Sequence, residues 1–344
     1  MFSEKLSCFL DDYSKNNNFF GVVRITLKDR VIFQKNIWYA DFEKAIPFDD
    51  NSIFSFYSLS KPFLAIAIMK LYEEGKIDID AHPSVYIPEA ANFHKDVTFR
   101  TMLHHASGLP DFVQTAHFEE KYNSGASEYL REQLKDLSKF PNVFMPNTSG
   151  MYANINMILC ALAIENITGI SYAEYMKENV FIPLGMKTAE VDNNKLVIEN
   201  RVQGYELLKN KVITVDRCTD WMLGAADIVG TLDDVYCLNL AIKHKKLLKK
   251  ETWNEILTSS PITGYAMGCV VTKWNGKTKI QHNGGYTGFR TFHIQVLEDD
   301  FDIIILSNSG WGNARNDFSE KIFELYYGQN TSPSETIEMD KGYI

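Results

Sequence analysis

The stretch that decides the fold is FYSLSKPFLAIAIM, residues 56–69, in which a serine, a lysine and a proline stand immediately before an apolar run. Proline is tolerated in an α-helix only in the first turn, where its missing N–H would have no partner. Pro62 therefore predicts a helix that begins close to Ser58. That helix offers little polar face before Lys70, so the placement of Lys61 needs an explanation.

Ser58 and Lys61 lie three positions apart, which places them on the same face of the first helical turn. The Ser58 hydroxyl would then stand at the positive end of the helix, where backbone N–H groups can hold an oxyanion. A lysine buried beside it would lose solvation, and its pKa would fall toward a value that suits a base. The pattern alone is weak, because Ser58 could be an ordinary N-cap and Lys61 a surface residue.

A second motif is Tyr152-Ala153-Asn154, where a loop enters the apolar helix of residues 154–168. A tyrosine there could pass protons to the serine or to a leaving group, and the Asn154 amide could hold a substrate carbonyl. The alternative is a tyrosine packed at a helix start beside a capping asparagine.

A third motif is His282-Asn283-Gly284-Gly285, which follows the strand-like run KTKIQ. Two glycines would let a substrate backbone lie close to the strand, and the Gly285 N–H could point at an oxyanion. The alternative is an ordinary turn between two strands.

The composition is that of a folded protein with a large core: 344 residues, 45% hydrophobic and 23% charged. The net charge of −9 makes nucleic acid an unsuitable partner. The longest apolar runs, Phe63–Met69 and Met157–Ile164, are too short to span a bilayer. Residues 1–20 lack the apolar core of a signal peptide, so we predict a cytoplasmic protein without a membrane anchor, or a secreted one if the chain is already processed.

The cysteines are odd in number and scattered, which is typical of free thiols in a reducing compartment. They stand at five positions, Cys8, Cys160, Cys218, Cys237 and Cys269.

Strand patterns occupy both ends of the chain, and helical patterns occupy the middle. A helix at about 3–16 precedes two strands, FGVVRITL and RVIFQKNIW, and Asn275-Gly276 marks a hairpin in the strand-rich last third. We therefore predict an α+β fold with one antiparallel sheet built from both chain ends, flanked by N- and C-terminal helices. The expected lobes are 1–60 with 251–328, and an inserted helical lobe at 61–250. Residues 329–344 form a polar tail.

The three motifs, SLSK, YAN and HNG, stand in the order found in the serine β-lactamase and penicillin-binding-protein superfamily. The chain resembles that family over about residues 20–310, nearest to the branch of class C β-lactamases, D-Ala-D-Ala carboxypeptidases, esterases and D-aminopeptidases. Supporting stretches are MKLYEEGKIDID, TFRTMLHHASGLPDF, FIPLGM, IVGTLDD and GGYTGFRTF. The resemblance implies a β-lactamase/transpeptidase-like fold.

The resemblance also implies a serine hydrolase that works through an acyl-enzyme. Ser58 would be the nucleophile, and Lys61 would accept its proton with Tyr152 coupled to it. Which of the two is the first base stays open. The N–H groups of Ser58 and Gly285 would form the oxyanion hole.

On the substrate side, the resemblance implies that Asn154 orients the substrate amide and helps to hold Lys61. His282 would line the pocket beside the leaving group or the carboxylate end of the substrate, and Asn283 and Gly284 would also bind the substrate. No metal or cofactor is implied. The two adjacent histidines at 104–105 have the wrong spacing for two metal ligands on one helix face. That pair is expected to shape the loop before SGLP. The expected partner is a small-molecule or short-peptide substrate.

One departure bears on the substrate. β-Lactamases carry Lys-Thr-Gly or Lys-Ser-Gly where this chain has His282-Asn283-Gly284, and a histidine is cationic only near or below a pKa of about 6.5. We therefore expect a peptidase or esterase rather than an efficient β-lactamase. Alternatives are a penicillin-sensor-like or scaffold protein without turnover, and a thiol hydrolase using Cys160. Residues 111–133 are expected to form a lid.

Overall fold

The computed structural model describes residues 2–111, 127–193, 195–216, 222–311 and 314–328. The helices are α1 Phe2–Asn17, α2 Lys61–Glu73, α3 Phe99–Leu103, α4 Ser127–Leu137, α5 Asn154–Thr168, α6 Tyr172–Met176, α7 Ile182–Leu184, α8 Leu232–His244, α9 Lys250–Ile256 and α10 Ala314–Tyr327. The strands are β1 Gly21–Leu27, β2 Arg30–Ile37, β3 Tyr39–Asp41, β4 Ile46–Pro47, β5 Phe54–Ser55, β6 Glu190–Val191, β7 Tyr205–Leu208, β8 Lys211–Thr214, β9 Ile228–Gly230, β10 Val270–Trp274, β11 Lys277–Tyr286, β12 Phe289–Val296 and β13 Phe301–Ser307.

The main sheet combines strands from both parts of the chain, as predicted. It has six antiparallel strands in the order β10-β11-β12-β13-β1-β2. The junction is the β1–β13 pair, which runs from Gly21 opposite Ser307 to Leu27 opposite Phe301. The residues between β2 and β10 therefore form an insertion between the two parts of the chain that build this sheet.

Two tight turns fix the hairpins at either side of this sheet. Asn275 and Gly276 join β10 to β11 with φ angles of 48° and 77°, the left-handed conformation that a two-residue hairpin turn requires. Lys28 and Asp29 join β1 to β2 with φ angles of 49° and 59°. Both hairpins were predicted from local sequence, and both are confirmed.

The sheet is the middle of three layers, because successive side chains point to opposite faces. On one face Val22, Ile304 and Leu306 belong to the core that contains α2 and α5. On the other face the alternate residues Val23 and Ile303 pack in a second core with α1 and α10. The predicted α+β architecture with flanking terminal helices is confirmed.

The helices α2 and α5 are apolar on all sides and lie inside the larger core. Every residue from Phe63 to Met69 and from Ile155 to Ile164 is buried. Among the described residues no single helix is long and apolar enough to cross a membrane, although α5 and the segment Tyr172–Leu184, bent by 86°, pass that test together.

A smaller three-stranded sheet carries the SLSK segment. Its order is β5-β9-β6, and β5 leads directly into a 3₁₀ turn, Tyr57–Ser60, and then into α2. The described cysteines are free thiols, as expected; Cys218 and the tail 329–344 lie outside the described residues. The exact lobe boundaries stay a prediction.

Candidate active site

The side chain of Lys61 is completely buried and reaches three acceptors. Its Nζ lies 3.1 Å from Ser58 Oγ, 3.0 Å from Asn154 Oδ1 and 2.9 Å from the Ala225 carbonyl oxygen. The predicted placement of Lys61 beside Ser58 is therefore present in the structure. The three acceptors hold the amine inside the protein, which accounts for the burial of a polar side chain here.

Ser58 lies in the 3₁₀ turn, and the α-helix proper begins at Lys61 with Pro62 in its first turn. The turn is constrained by Tyr57, a non-glycine residue with a φ of 49° whose hydroxyl donates to the Thr287 carbonyl at 3.1 Å. Such a left-handed conformation persists where surrounding contacts enforce it. Ser58 itself is only partly covered, so its hydroxyl can be approached.

The burial of Lys61 changes its protonation. Loss of solvation lowers the pKa of its amine from 10.5 to about 7, against the opposing effect of the nearby carboxylates Asp111 and Asp227. At neutral pH the amine is therefore divided between its charged and neutral forms. A neutral amine beside a serine hydroxyl is the arrangement that a general base requires.

Tyr152 and Asn154 both contact the Lys61 amine. The Lys61 Nζ stands 4.7 Å from the centre of the Tyr152 ring, close enough for a cation–π contact. Asn154 is the first residue of α5, but its side chain does not cap that helix; it accepts from Lys61 instead. The structure therefore brings Ser58, Lys61, Tyr152 and Asn154 together.

The glycine motif lies within a strand rather than in a turn, because β11 continues to Tyr286. His282 is 4% exposed, with Nδ1 2.7 Å from the Asn283 carbonyl oxygen and Nε2 2.6 Å from the Tyr265 hydroxyl. The imidazole is thus held in place at both nitrogens.

The residues of the HNGG motif alternate between the two faces of β11. Gly284 pairs with Thr291, whose hydroxyl donates to the Phe56 carbonyl at 2.7 Å, so this face of the strand lies against the SLSK turn. Asn283 pairs with Phe292, which packs in the second core on the other face. The amide side chain of Asn283 is therefore not brought to Ser58, and only its backbone remains available to a substrate.

Glycine is required at position 284 by close approach. A Cβ added there would overlap the Phe56 carbonyl oxygen. A Cβ added at Gly285 would meet the flexible side chain of Arg290 first, 3.0 Å from its Cδ. Gly284 therefore lets the strand touch the turn that carries Ser58.

Beyond Gln281 the strand has an open edge. The last pair between β10 and β11 is Val270 with Gln281, and no described strand pairs with residues 282–286 on the side away from β12. An open edge beside Ser58 can accept an extended substrate backbone.

Comparison with known proteins decides the family. The family model named Beta-lactamase matches residues 9–320. The chain belongs to the Beta-lactamase family. It is 25% identical to penicillin-binding protein 4* of Bacillus subtilis (strain 168) over 323 residues, which cover 88% of this chain and 71% of that protein. It is 24% identical to the D-aminopeptidase of Gluconobacter oxydans (strain 621H), over 84% of this chain and 55% of that protein.

Solved structures confirm the β-lactamase/transpeptidase-like fold. The octameric penicillin-binding protein homologue from Pyrococcus abyssi superposes with a TM-score of 0.82 at 22% identity, over 96% of this chain and 78% of that one. The D-amino acid amidase of Ochrobactrum anthropi SV3 gives 0.80 at 20% identity, over 96% and 99%. The family and its named relatives support a hydrolase in general.

Several contacts in this candidate site were not predicted from the sequence. Asp111 accepts from the backbone N–H groups of Asn154 and Ile155 at 2.9 and 3.2 Å, and so caps α5. Tyr265 holds His282, and His105 stacks on the Tyr152 ring. Each contact joins residues distant in the chain, so no local pattern signalled it.

Two further expectations can be compared with this site. Cys160 is completely buried in α5, and burial raises the pKa of its thiol, which makes it a poor nucleophile. Of the expected lid at 111–133, residues 112–126 lie outside the described residues, while Asp111 is the cap of α5 and Ser127 begins α4.

Proposed function

We propose that this protein is a serine hydrolase that cleaves an ester or amide through an acyl-enzyme, with Ser58 as nucleophile and Lys61 as its base. The observation that carries the proposal is the Lys61 amine, completely buried, with a pKa of about 7 and 3.1 Å from the Ser58 hydroxyl. A structural lysine has no need of this placement.

Counting hydrogen bonds supports the role of Lys61. A charged ammonium has three N–H donors, and three acceptors surround it. The neutral amine has two N–H groups and one lone pair. If the two N–H groups remain on Asn154 Oδ1 and the Ala225 carbonyl, the lone pair faces the Ser58 hydroxyl. The same cradle thus holds the base in both protonation states.

The remaining steps follow from the surrounding groups. As Ser58 Oγ bonds to the substrate carbonyl carbon, its proton passes to Lys61, and the oxyanion is held by the N–H groups of Ser58 and Gly285. Tyr152, in contact with Lys61, relays a proton to the leaving group, and Asn154 orients the substrate amide. Water then attacks the ester at Ser58, and the base regenerates the enzyme by the reverse proton transfers.

The substrate class follows from the charge of the site. His282 takes the place of the lysine that β-lactamases present to a carboxylate, and its two nitrogens are already engaged. This favours esters or amides over efficient β-lactam hydrolysis. The relatives named D-aminopeptidase and D-amino acid amidase make D-amino acid amides and short D-peptides the next substrates to try.

Hydrolysis of a short p-nitrophenyl ester tests the proposal, with early time points to detect a burst. We expect turnover by the wild type, none by Ser58→Ala, and mass-spectrometric detection of the acyl group on the peptide that contains Ser58. Ser319→Ala, a serine in α10 on the far side of the sheet, is the matched control and should retain full activity.

Turnover that survives Ser58→Ala would contradict the proposal. Stoichiometric acylation of Ser58 without turnover, on esters, amides and D-amino acid amides alike, would instead indicate a penicillin-sensor-like binding protein.

A further inference from the structure

His105 contacts three consecutive residues around Tyr152. Its backbone carbonyl accepts from Met151 N–H at 3.0 Å, and its Nδ1 accepts from Ala153 N–H at 3.2 Å. Between these two hydrogen bonds, its ring stacks on the Tyr152 ring with centroids 4.4 Å apart and planes 29° apart. One residue thus contacts the Tyr152 ring and holds the backbone on either side of it.

The imidazole of His105 is itself fixed. It is completely buried, and Asn156 Nδ2 lies 3.2 Å from Nδ1 while Asn156 Oδ1 accepts from Ser107. Tyr265 packs edge-on against the ring with centroids 4.7 Å apart. His105 also adopts a left-handed backbone conformation, with a φ of 54°. Such strain is retained where the surrounding structure enforces it.

The ring of His105 is neutral. Burial holds its pKa well below 6.5, and the electrostatic interactions with Lys61, His282 and His104 act in the same direction. Because Nδ1 accepts from a backbone N–H, the ring proton must be on Nε2. A neutral ring can accept a hydrogen bond and stack on Tyr152 without adding a second positive charge near the Lys61 ammonium.

We propose that His105 is a positioning residue, which holds the Tyr152 hydroxyl in register with Lys61 and Ser58 during proton transfer. This inference rests on the proposed function, because Tyr152 matters only if it carries a proton. His105 touches neither Ser58 nor Lys61 through any described hydrogen bond; it acts through the tyrosine. A shift of about 1 Å in a proton-transfer group is enough to reduce a rate strongly.

The variant His105→Asn removes the stacking on Tyr152 but can keep the hydrogen bond from Ala153 N–H. Asparagine tolerates a left-handed backbone, and its side-chain oxygen can accept from Ala153 N–H in place of Nδ1. The stacking ring is lost. We expect kcat for the p-nitrophenyl ester to fall by roughly 10- to 100-fold while KM changes by less than about 3-fold, since acid–base groups contribute on the order of 10²–10⁴-fold.

A double-mutant cycle with Tyr152→Phe tests whether the effect passes through the tyrosine. Once the hydroxyl is gone its position no longer matters, so we expect His105→Asn to cost less than about 2-fold more in the Tyr152→Phe background. The same factor in both backgrounds would overturn the proposal, because His105 would then be a structural residue. The rate at which a fluorophosphonate phosphonylates Ser58, a single covalent event that forms the Oγ–P bond and releases fluoride, keeps slow variants measurable.

A spectroscopic measurement separates this proposal from the proposed function. In protein labelled with 3-fluorotyrosine, the ¹⁹F resonance that disappears in Tyr152→Phe belongs to Tyr152. We expect His105→Asn to shift or broaden this resonance even if the wild type shows no hydrolysis. An unchanged Tyr152 resonance would overturn the positioning role, whereas a shifted resonance in a protein that does not hydrolyse esters would remove only the proposed function.

Discussion

Asp111 holds the start of the helix that carries Asn154. Its two carboxylate oxygens accept from the backbone N–H groups of Asn154 and Ile155, at 2.9 and 3.2 Å. The negative charge of the carboxylate also interacts favourably with the positive N-terminal end of the helix dipole. A residue at the edge of one loop therefore sets the position of the amide that contacts Lys61.

Replacing Asp111 with alanine should reduce both stability and activity. Loss of a capping side chain costs about 1–2 kcal/mol, measurable by urea denaturation, and the displaced Asn154 should lower kcat/KM. The matched control is Ser171→Ala, which removes the cap of α6, where Ser171 Oγ accepts from Glu174 N–H at 3.1 Å. That variant should lose similar stability but keep its kinetics. Equal kinetic losses in both would assign the effect to stability alone.

The activity should rise with pH through about 7, because the buried Lys61 amine must be neutral to accept the serine proton and its pKa is about 7. Asp111 raises that pKa, so Asp111→Asn should move the acidic limb of kcat/KM to lower pH. The measurement is a pH–rate profile of ester hydrolysis for both proteins. A limb that moves to higher pH would contradict the assignment of Lys61 as the base.

Asp227 should make the protein less stable as the pH rises. Burial raises the pKa of its carboxyl from 3.8 to about 7, so the folded protein holds a proton that the unfolded chain releases. Its contribution is present below the unfolded pKa and is lost as the pH rises through about 7. Between pH 5 and pH 8, Asp227→Asn should gain on the order of 2 kcal/mol relative to wild type.

Denaturation curves of wild type and Asp227→Asn at the two pH values measure this difference. The asparagine keeps an acceptor for Gly224 N–H, which Asp227 Oδ2 binds at 2.8 Å. A stability difference that does not change with pH would show that Asp227 is ionised throughout.

Adjacent glycines in β11 should respond differently to alanine. At Gly284 the added methyl group would overlap the Phe56 carbonyl, so the SLSK turn must move or the strand must detach. We expect a loss of about 3 kcal/mol or more in the free energy of unfolding. At Gly285 the methyl group meets a flexible arginine side chain, and the loss should stay under about 1 kcal/mol. Equal losses would mean that the strand does not press on the turn.

Local signals in the sequence predicted much of the fold. Pro62 placed the start of α2, and Asn275-Gly276 placed a hairpin, because each of these residues restricts the backbone at its own position. The β1–β13 pairing could be predicted only in outline. Its register depends on which side chains both cores accept, and one of those cores is formed with α2 and α5, which are distant from both strands in the sequence.

The geometry of the candidate site was predictable where a short motif places two residues close together. The spacing of Ser58 and Lys61 fixes a shared helical face, and their contact is present. The capping of α5 by Asp111 and the stacking of His105 on Tyr152 were not predictable, since each joins residues more than 40 positions apart. Asn283 shows a further limit: in a strand, one step of register decides which face a side chain takes.

Because β1 pairs with β13, the main sheet can form only after β13 has been synthesised. β1 and the apolar face of α1 leave the ribosome early, but the strand that covers them follows on the order of tens of seconds later. Ser58 and Gly285 are separated by most of that interval. A ribosome-bound chain without β11–β13 therefore carries the proposed nucleophile without its proposed second oxyanion donor, so the nascent chain should be inert until these strands have been synthesised.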